Sequence, residues 1–358
     1  MRILLLGEAS GVHSNLKKGL SNLGHNVTLV SSGDGFKQIH GDVILTNGSK
    51  GYFSSILRGL NWIRRIYSFR GYDVVQIISV EFFPKRFALN YMLSFLLRVN
   101  NKRLFIVGAG CIDSWTCDFF KNEYKYPEFY KSICNHYGVA SLWGQSPQGK
   151  KFNNWLFDII DGYIPLMYEY SRGHVANSHG KLRRTVPIPI DLESFDYEEN
   201  IKKEKVVIFH GVSRKSVKGS DAILEVLNRL QDQFPNDVEI LIVEKVPYHE
   251  YVGLLRRANI VVDQMYSVST GVNGLIAMAL GKILVGGGEE EFLTEFKLKN
   301  SPIISFKKDN SGLYKSLKKL LQKPETYQSI GEASRVFVEN LHNANAVASK
   351  YIEVWDEN

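Results

Sequence analysis

The feature that most restricts the fold is a repeated grammar of short apolar runs, each followed by a small-residue loop and an amphipathic stretch. The run Arg2–Leu6 is long enough for a strand and too short for a helix. Residues 7–14 read as a loop, and residues 15–23 as a helix with Leu16, Leu20 and Leu23 on one face. Gly24 ends that helix, and residues 27–30 form the next expected strand. A strand, helix, strand succession at this spacing implies parallel pairing with a right-handed crossover. Further strands are expected at residues 43–45, 74–78 and 104–107.

The same grammar restarts after VPIPID, residues 186–191, whose two prolines favour extended backbone and suit a hinge. Strands are expected at residues 205–209, 238–243, 260–263 and 283–285, with helices at 221–230, 248–257 and 271–280. A chain of 358 residues fits two domains of ordinary size. The expected class is therefore α/β, with two facing doubly wound domains and a cleft between them. The first spans residues 1–188 and the second 189–341, while a last helix, about 342–358, can pack back on the first. In open α/β sheets ligands sit at the carboxyl ends of the strands, so the cleft is the expected site.

The apolar share of 44% and charged share of 23% are those of a globular protein in water. The formal charge of +7 suits an anionic partner, whether nucleic acid, lipid surface or phosphate-bearing substrate. No recognition helix, zinc finger or aromatic RNA-binding motif accompanies it, so no nucleic-acid partner is expected. Cys111, Cys117 and Cys134 form no C-x-x-C pair and have no histidine at zinc spacing. A disulfide framework or structural zinc is not expected, and a reducing cytoplasm fits. MRILLLGEASG reads as a first strand and not a signal peptide, and no apolar run reaches membrane-spanning length.

Two segments carry the chemistry. In FHGVSRKSVKGSD, residues 209–221, a strand ends at His210 and a loop with Gly211, Ser213, Arg214, Lys215, Lys218 and Gly219 leads into a helix. Arg214 offers a planar fork and Lys218 a mobile point charge, a pair suited to a diphosphate whose charge grows during reaction. A solvated basic loop is the plainer reading. In DQMYSVSTGVNGLIAMALGKILV, residues 263–285, a small-residue loop enters a helix through Thr270, Gly271, Val272, Asn273 and Gly274. Backbone N–H groups at a helix start bind phosphate, and Gly271 and Gly274 leave room for close approach. An ordinary helix capped by Ser269 or Thr270 is the alternative.

These motifs, R-x-x-x-K-G after a strand and a loop running into AMALGK, resemble the second domain of two-Rossmann-domain (GT-B) glycosyltransferases, particularly family 4. The first loop, the VPIPID hinge and the last helix extend the likeness more weakly along the chain. The resemblance implies a nucleotide-sugar donor, with Arg214 and Lys218 acting on its diphosphate and the base near the loop from Glu244 to Tyr248, where Glu244 and Val246 are donor contacts. It also implies a hexosyl or related transfer without metal or cofactor. One departure stands out. The family's two glutamates, eight positions apart, correspond here to Val268 and Ile276, with Asp263 and Gln264 the nearest polar substitutes for donor contacts, or else loop-packing groups.

In the first domain, Gly11 and Ser14 suit the cleft lining and His13 suits contact with the reacting sugar or its phosphate. A helix cap at Ser10 or Ser14 with a surface His13 reads equally well. Asp113, after LFIVGAG, is a candidate base for an acceptor hydroxyl, with Glu81 its competitor. From Tyr52 to Gly71, Ile56, Leu60, Ile63 and Tyr67 form an apolar stripe edged by arginines. That stripe is either core or, with Trp62 and Phe69, a contact to anionic lipid.

The expected function is sugar transfer to a glycan or lipid-linked acceptor in surface polysaccharide or lipopolysaccharide assembly. The expected place is the cytoplasm or the inner face of the membrane. The alternatives are a glycosyltransferase-like partner subunit without catalysis, or a nucleotide-sugar epimerase of the same fold. A nicotinamide enzyme is excluded, because residues 7–11 lack the G-x-G-x-x-G spacing.

Overall fold

The computed structural model describes residues 1–31, 38–44, 59–60, 62–110, 113–137, 143–178, 180–212 and 214–357. The chain divides into two compact units. Unit 1 gathers Met1–Glu123, Ala140–Pro189 and Ala344–Asn358, and unit 2 gathers Tyr124–Val139 and Ile190–Asn343. The segment Tyr124–Val139 thus lies inside the first 188 residues yet packs with unit 2, and the last helix packs with unit 1.

Unit 1 is built on a parallel sheet of β1 (Arg2–Leu6), β2 (Asn26–Ser31), β3 (Val43–Ile44), β4 (Val74–Ile77), β5 (Arg103–Gly108) and β6 (Gly162–Pro165). Its order is β3-β2-β1-β4-β5-β6, the doubly wound order. The central strands are buried on both faces, which is why they read as unbroken apolar runs rather than alternating ones. The strand β6 was not expected, since Gly162 and Pro165 leave too short an apolar run. The helix Val12–Asn22 turns Val12, Leu16 and Leu20 inward and packs on the last helix, Ala344–Asp356.

Residues 52–58 and Asn61, in the stripe expected from Tyr52 to Gly71, lie outside the described residues, and with them Ile56. The rest corrects that stripe. Leu60 and Tyr67 are 49% and 65% exposed, whereas Trp62, Ile66 and Phe69 are core. Trp62 packs edge-on against Phe69, Phe82 and Phe83, so neither Trp62 nor Phe69 is presented to lipid. Among the described residues no helix is long and apolar enough to cross a membrane. Cys134 is free, but the buried Cys117 is disulfide-bonded, contrary to the expectation from cysteine spacing.

Unit 2 holds a second parallel sheet of β7 (Val206–Val212), β8 (Val238–Glu244), β9 (Ile260–Val262) and β10 (Ile283–Val285), in the order β10-β9-β7-β8. The helix Ser220–Gln233 turns Ile223, Val226, Leu227 and Leu230 inward, as its 3.6-residue period dictates. The helix Val272–Ala279 is apolar nearly all round and correspondingly buried. In each sheet the chain winds one way and then the other from a central strand, so the reversal falls between β1 and β4, and between β7 and β9. The loops leaving those strand ends are where ligands of such sheets bind.

Candidate functional site

At the end of β7 the chain passes through Arg214, which is exposed, into the short helix Lys215–Lys218. Gly219, at φ +68°, then starts the helix Ser220–Gln233. Lys215 is drawn outward to Asp221 at 2.6 Å. Lys218 points the other way. Its ammonium lies 2.9 Å from Asp263 Oδ1 just beyond β9, with the two side chains only 9% and 3% exposed. The Met265 N–H donates to the Lys218 carbonyl at 2.9 Å, so backbone and side chain both tie Lys218 to the β9 loop. The Thr270 hydroxyl approaches Asp263 Oδ2 at 3.5 Å. Arg214, Lys218, Thr270 and Gly271 therefore belong to loops at one strand-end region, with Asp263 joining the two loops.

The remaining residues expected at the donor divide by what the structure does with them. His210 is fully buried, with Nδ1 2.8 Å from the Val262 carbonyl and Nε2 2.9 Å from Ser220 Oγ. The carbonyl can only accept, so Nδ1 carries the proton and Nε2 accepts from Ser220. Burial, with the nearby Lys218 charge, lowers its pKa to about 4. His210 holds β7, β9 and the helix start together as a neutral ring and has no nitrogen left for a donor. Gly211 is corrected in the same sense: a Cβ there would lie 2.6 Å from the Tyr251 hydroxyl. At Gly274 a Cβ would lie 2.3 Å from Thr270 Oγ1. Both glycines admit neighbouring side chains rather than a ligand.

Gln264 donates to the Ser269 carbonyl at 3.1 Å and so braces the loop. Glu244 is exposed and paired with Lys245 at 3.1 Å, and Val246 is half-buried. Gly271 caps the helix Val272–Ala279 without a side-chain bond; Val272 is buried and Asn273 half-exposed. Ser213 lies outside the described residues. Val268 and Ile276, where the resembling family has glutamates, are buried apolar side chains. Asp263 is bound to Lys218 and so is no free substitute for either.

In unit 1 the loop after β1 is organised by a residue the sequence reading passed over. One Glu8 carboxylate oxygen accepts from the backbone N–H groups of Ala9, Gly11 and His13 at 2.7, 3.0 and 3.2 Å. The other accepts from Ser14 N–H at 2.8 Å and the Ser14 hydroxyl at 2.6 Å. Burial raises the Glu8 pKa, and these hydrogen bonds oppose the rise. An acid placed one residue past the strand-end glycine, before a serine-rich helix start, was the available signal.

His13 is fully buried and reaches no surface. Its Nδ1 donates to the Gly7 carbonyl at 2.8 Å, and its Nε2 accepts from Gln76 at 3.2 Å. Gln76 Oε1 in turn accepts from the Trp355 indole at 3.0 Å. Burial lowers the His13 pKa to about 4, so it is neutral and structural, not a sugar contact. Asp113, also fully buried, caps the helix Ser114–Asn122 through Thr116 N–H at 2.8 Å and takes the Thr116 hydroxyl at 2.7 Å. It lies 3.2 Å from His174 Nε2. Its pKa is lowered: burial pushes upward but is outweighed by His174 and the Thr116 bonds. Both of its carboxylate oxygens are thus engaged within unit 1. Glu81 holds Lys85 at 2.6 Å and accepts from Gly144 N–H at 3.3 Å. Among the described residues no group of three or more His, Cys, Asp or Glu side chains is placed to hold a metal ion.

Two parallel doubly wound sheets with this element order define the GT-B fold, and solved structures share it over nearly the whole chain. Sucrose-phosphate synthase from Thermosynechococcus elongatus matches with a TM-score of 0.65 at 14% identity, over 99% of this chain and 98% of that one. Anabaena HepE, in complex with UDP and glucose, matches with 0.63 at 13%, over 99% and 98%. UDP-GlcNAc 2-epimerase from Neisseria meningitidis, bound to UDP-GlcNAc, matches with 0.55 at 12% and full coverage of both chains, 100% each. No family model and no curated protein matches the sequence.

Proposed function

We propose that the protein is a glycosyltransferase that takes a sugar from a nucleoside diphosphate sugar and passes it to a glycan or lipid-linked acceptor. The carrying observation is Lys218: a buried ammonium at the reversal point of the unit 2 sheet, with the exposed Arg214 on the same loop. As the bond from the sugar's anomeric carbon to the diphosphate breaks, negative charge gathers on the departing oxygens. Fixed cations at that place favour the transition state over the bound substrate. The acceptor oxygen bonds to the anomeric carbon and its proton passes to an oxygen of the departing diphosphate. Asp113 and His13 are engaged inside unit 1, so neither is assigned that proton. UDP is the nucleotide to try first, because HepE and the epimerase above were solved with UDP or a UDP-sugar.

The reading extends to a metal-independent hexosyl or related transfer, with Arg214 and, once its ion pair with Asp263 opens, Lys218 facing the leaving group. We further propose a role in surface polysaccharide or lipopolysaccharide assembly, in the cytoplasm or against the inner face of the membrane. Calorimetry with UDP and product analysis with UDP-sugars, with and without chelator, test it. Arg214→Ala or Lys218→Ala should lower turnover about 10²-fold or more, the scale of losing one transition-state donor. Near-normal turnover in both variants would refute the assignment.

A second reading has its own support. Val268 and Ile276 stand where the resembling transferases carry glutamates, and the fold is shared with an epimerase. An epimerised donor formed without acceptor would favour it, and UDP binding with no turnover of any donor would favour a partner subunit.

A further inference from the structure

The ammonium of Lys218 is neutralised by a carboxylate of the protein's own fold. Asp263 Oδ1 lies 2.9 Å from it, and both side chains are almost wholly withdrawn from water. The pair is long-range in sequence, joining the loop after β7 to the end of β9 across the sheet's reversal point. It is stitched in place by the Met265 N–H on the Lys218 carbonyl, and by Thr270 on the far carboxylate oxygen at 3.5 Å. Among the described residues the nearest atom to a Cβ built on Gly271 is that same oxygen, at 4.0 Å, so the carboxylate borders the space beside this glycine.

A second anion entering here meets one carboxylate as a like charge, and competes with it for the same ammonium. In a region poor in water both effects are large. We propose that Asp263 is an internal counter-anion that holds Lys218 in reserve. A nucleoside diphosphate displaces it, so Asp263 sets how tightly donor and product are gripped. The idea rests on the donor site argued above, and it makes Asp263 a positioning residue acting through Lys218. Its consequence is release: once the sugar has left, the carboxylate returns to the ammonium and drives the diphosphate out.

The test is UDP titration calorimetry on the whole chain, at low and moderate salt. Wild type is compared with Asp263→Asn, Lys218→Gln and the double variant. Asp263→Asn should bind UDP about tenfold more tightly, with a steeper salt dependence, because the site gains one net positive charge. That gain should vanish on the Lys218→Gln background. With wild-type UDP binding present, unchanged or weaker binding in Asp263→Asn overturns the counter-anion alone and leaves the donor site standing. Absence of UDP binding in wild type and in Asp263→Asn overturns both. If Asp263→Asn does not fold, a wild-type crystal structure with UDP decides. Lys218 Nζ on a phosphate oxygen with the Asp263 pair opened supports the exchange, and an intact pair away from the phosphate refutes it.

Discussion

The loops at the two reversal points, one in each sheet, solve the same electrostatic problem in opposite ways. After β1, four backbone N–H groups converge and are satisfied by Glu8, a residue of the same loop. After β7, the positive charge is a side chain, and its counter-charge comes from a different strand. The first arrangement is local and closed; opening it would strand several donors at once. The second joins two loops through one ion pair, which an incoming anion can replace group for group. Both places have the charge to attract phosphate, yet only the second can release that charge without breaking its own backbone structure.

That contrast can be broken most sharply at Glu8. Glu8→Ala leaves those N–H groups without their acceptor and should cost unit 1 about 4 kcal/mol, with water recovering part of what each unmade bond costs. All five tryptophans lie in unit 1, so tryptophan fluorescence during urea unfolding reads that unit alone. UDP affinity, proposed to reside in unit 2, should hold. A tenfold loss would show that the loop after β1 also handles the donor.

Acid sharpens the comparison next. His13 and His210 have folded pKa values near 4 against 6.5 unfolded, so between those limits the unfolded chain takes up protons that the folded one refuses. The contribution of each histidine is therefore full above about pH 6.5, and about 3 kcal/mol of it should be lost as pH falls towards 4. His210→Gln should flatten this trend for unit 2, followed by UDP-linked melting, while tryptophan-detected unfolding of unit 1 still shifts. A parallel flattening in unit 1 would mean the units do not unfold separately. The smallest effect is expected from Trp355→Phe, which removes the donor to Gln76 and should lower unit 1 stability by about 1 kcal/mol with UDP binding unchanged.

Much of the fold was legible because parallel strands buried on both faces leave apolar runs that little else imitates. Polar attachments leave no such mark in the sequence. The segment Tyr124–Val139 joins unit 2 through Tyr124 Oη on Val268 N–H at 3.1 Å, Tyr126 on Glu289 at 2.7 Å and Lys125 on Glu289 at 2.6 Å. None of these has a periodicity to betray it. The basic loop was visible in the order strand, arginine, lysine, glycine, but its neutralising aspartate was not, since the pair forms only when two strand ends meet. Asp113 and His13 misled for the same reason. A carboxylate or imidazole after a strand looks alike in sequence whether it faces a ligand or caps a helix.

The indole of Trp355 reaches Gln76, Gln76 reaches His13, and His13 holds the Gly7 carbonyl, so the helix Ala344–Asp356 completes the first loop of the chain. A polypeptide leaving the ribosome has every segment of unit 2 before it has this helix. Unit 2 can close its core during synthesis, whereas unit 1, begun first, must wait with the end of β1 unfinished.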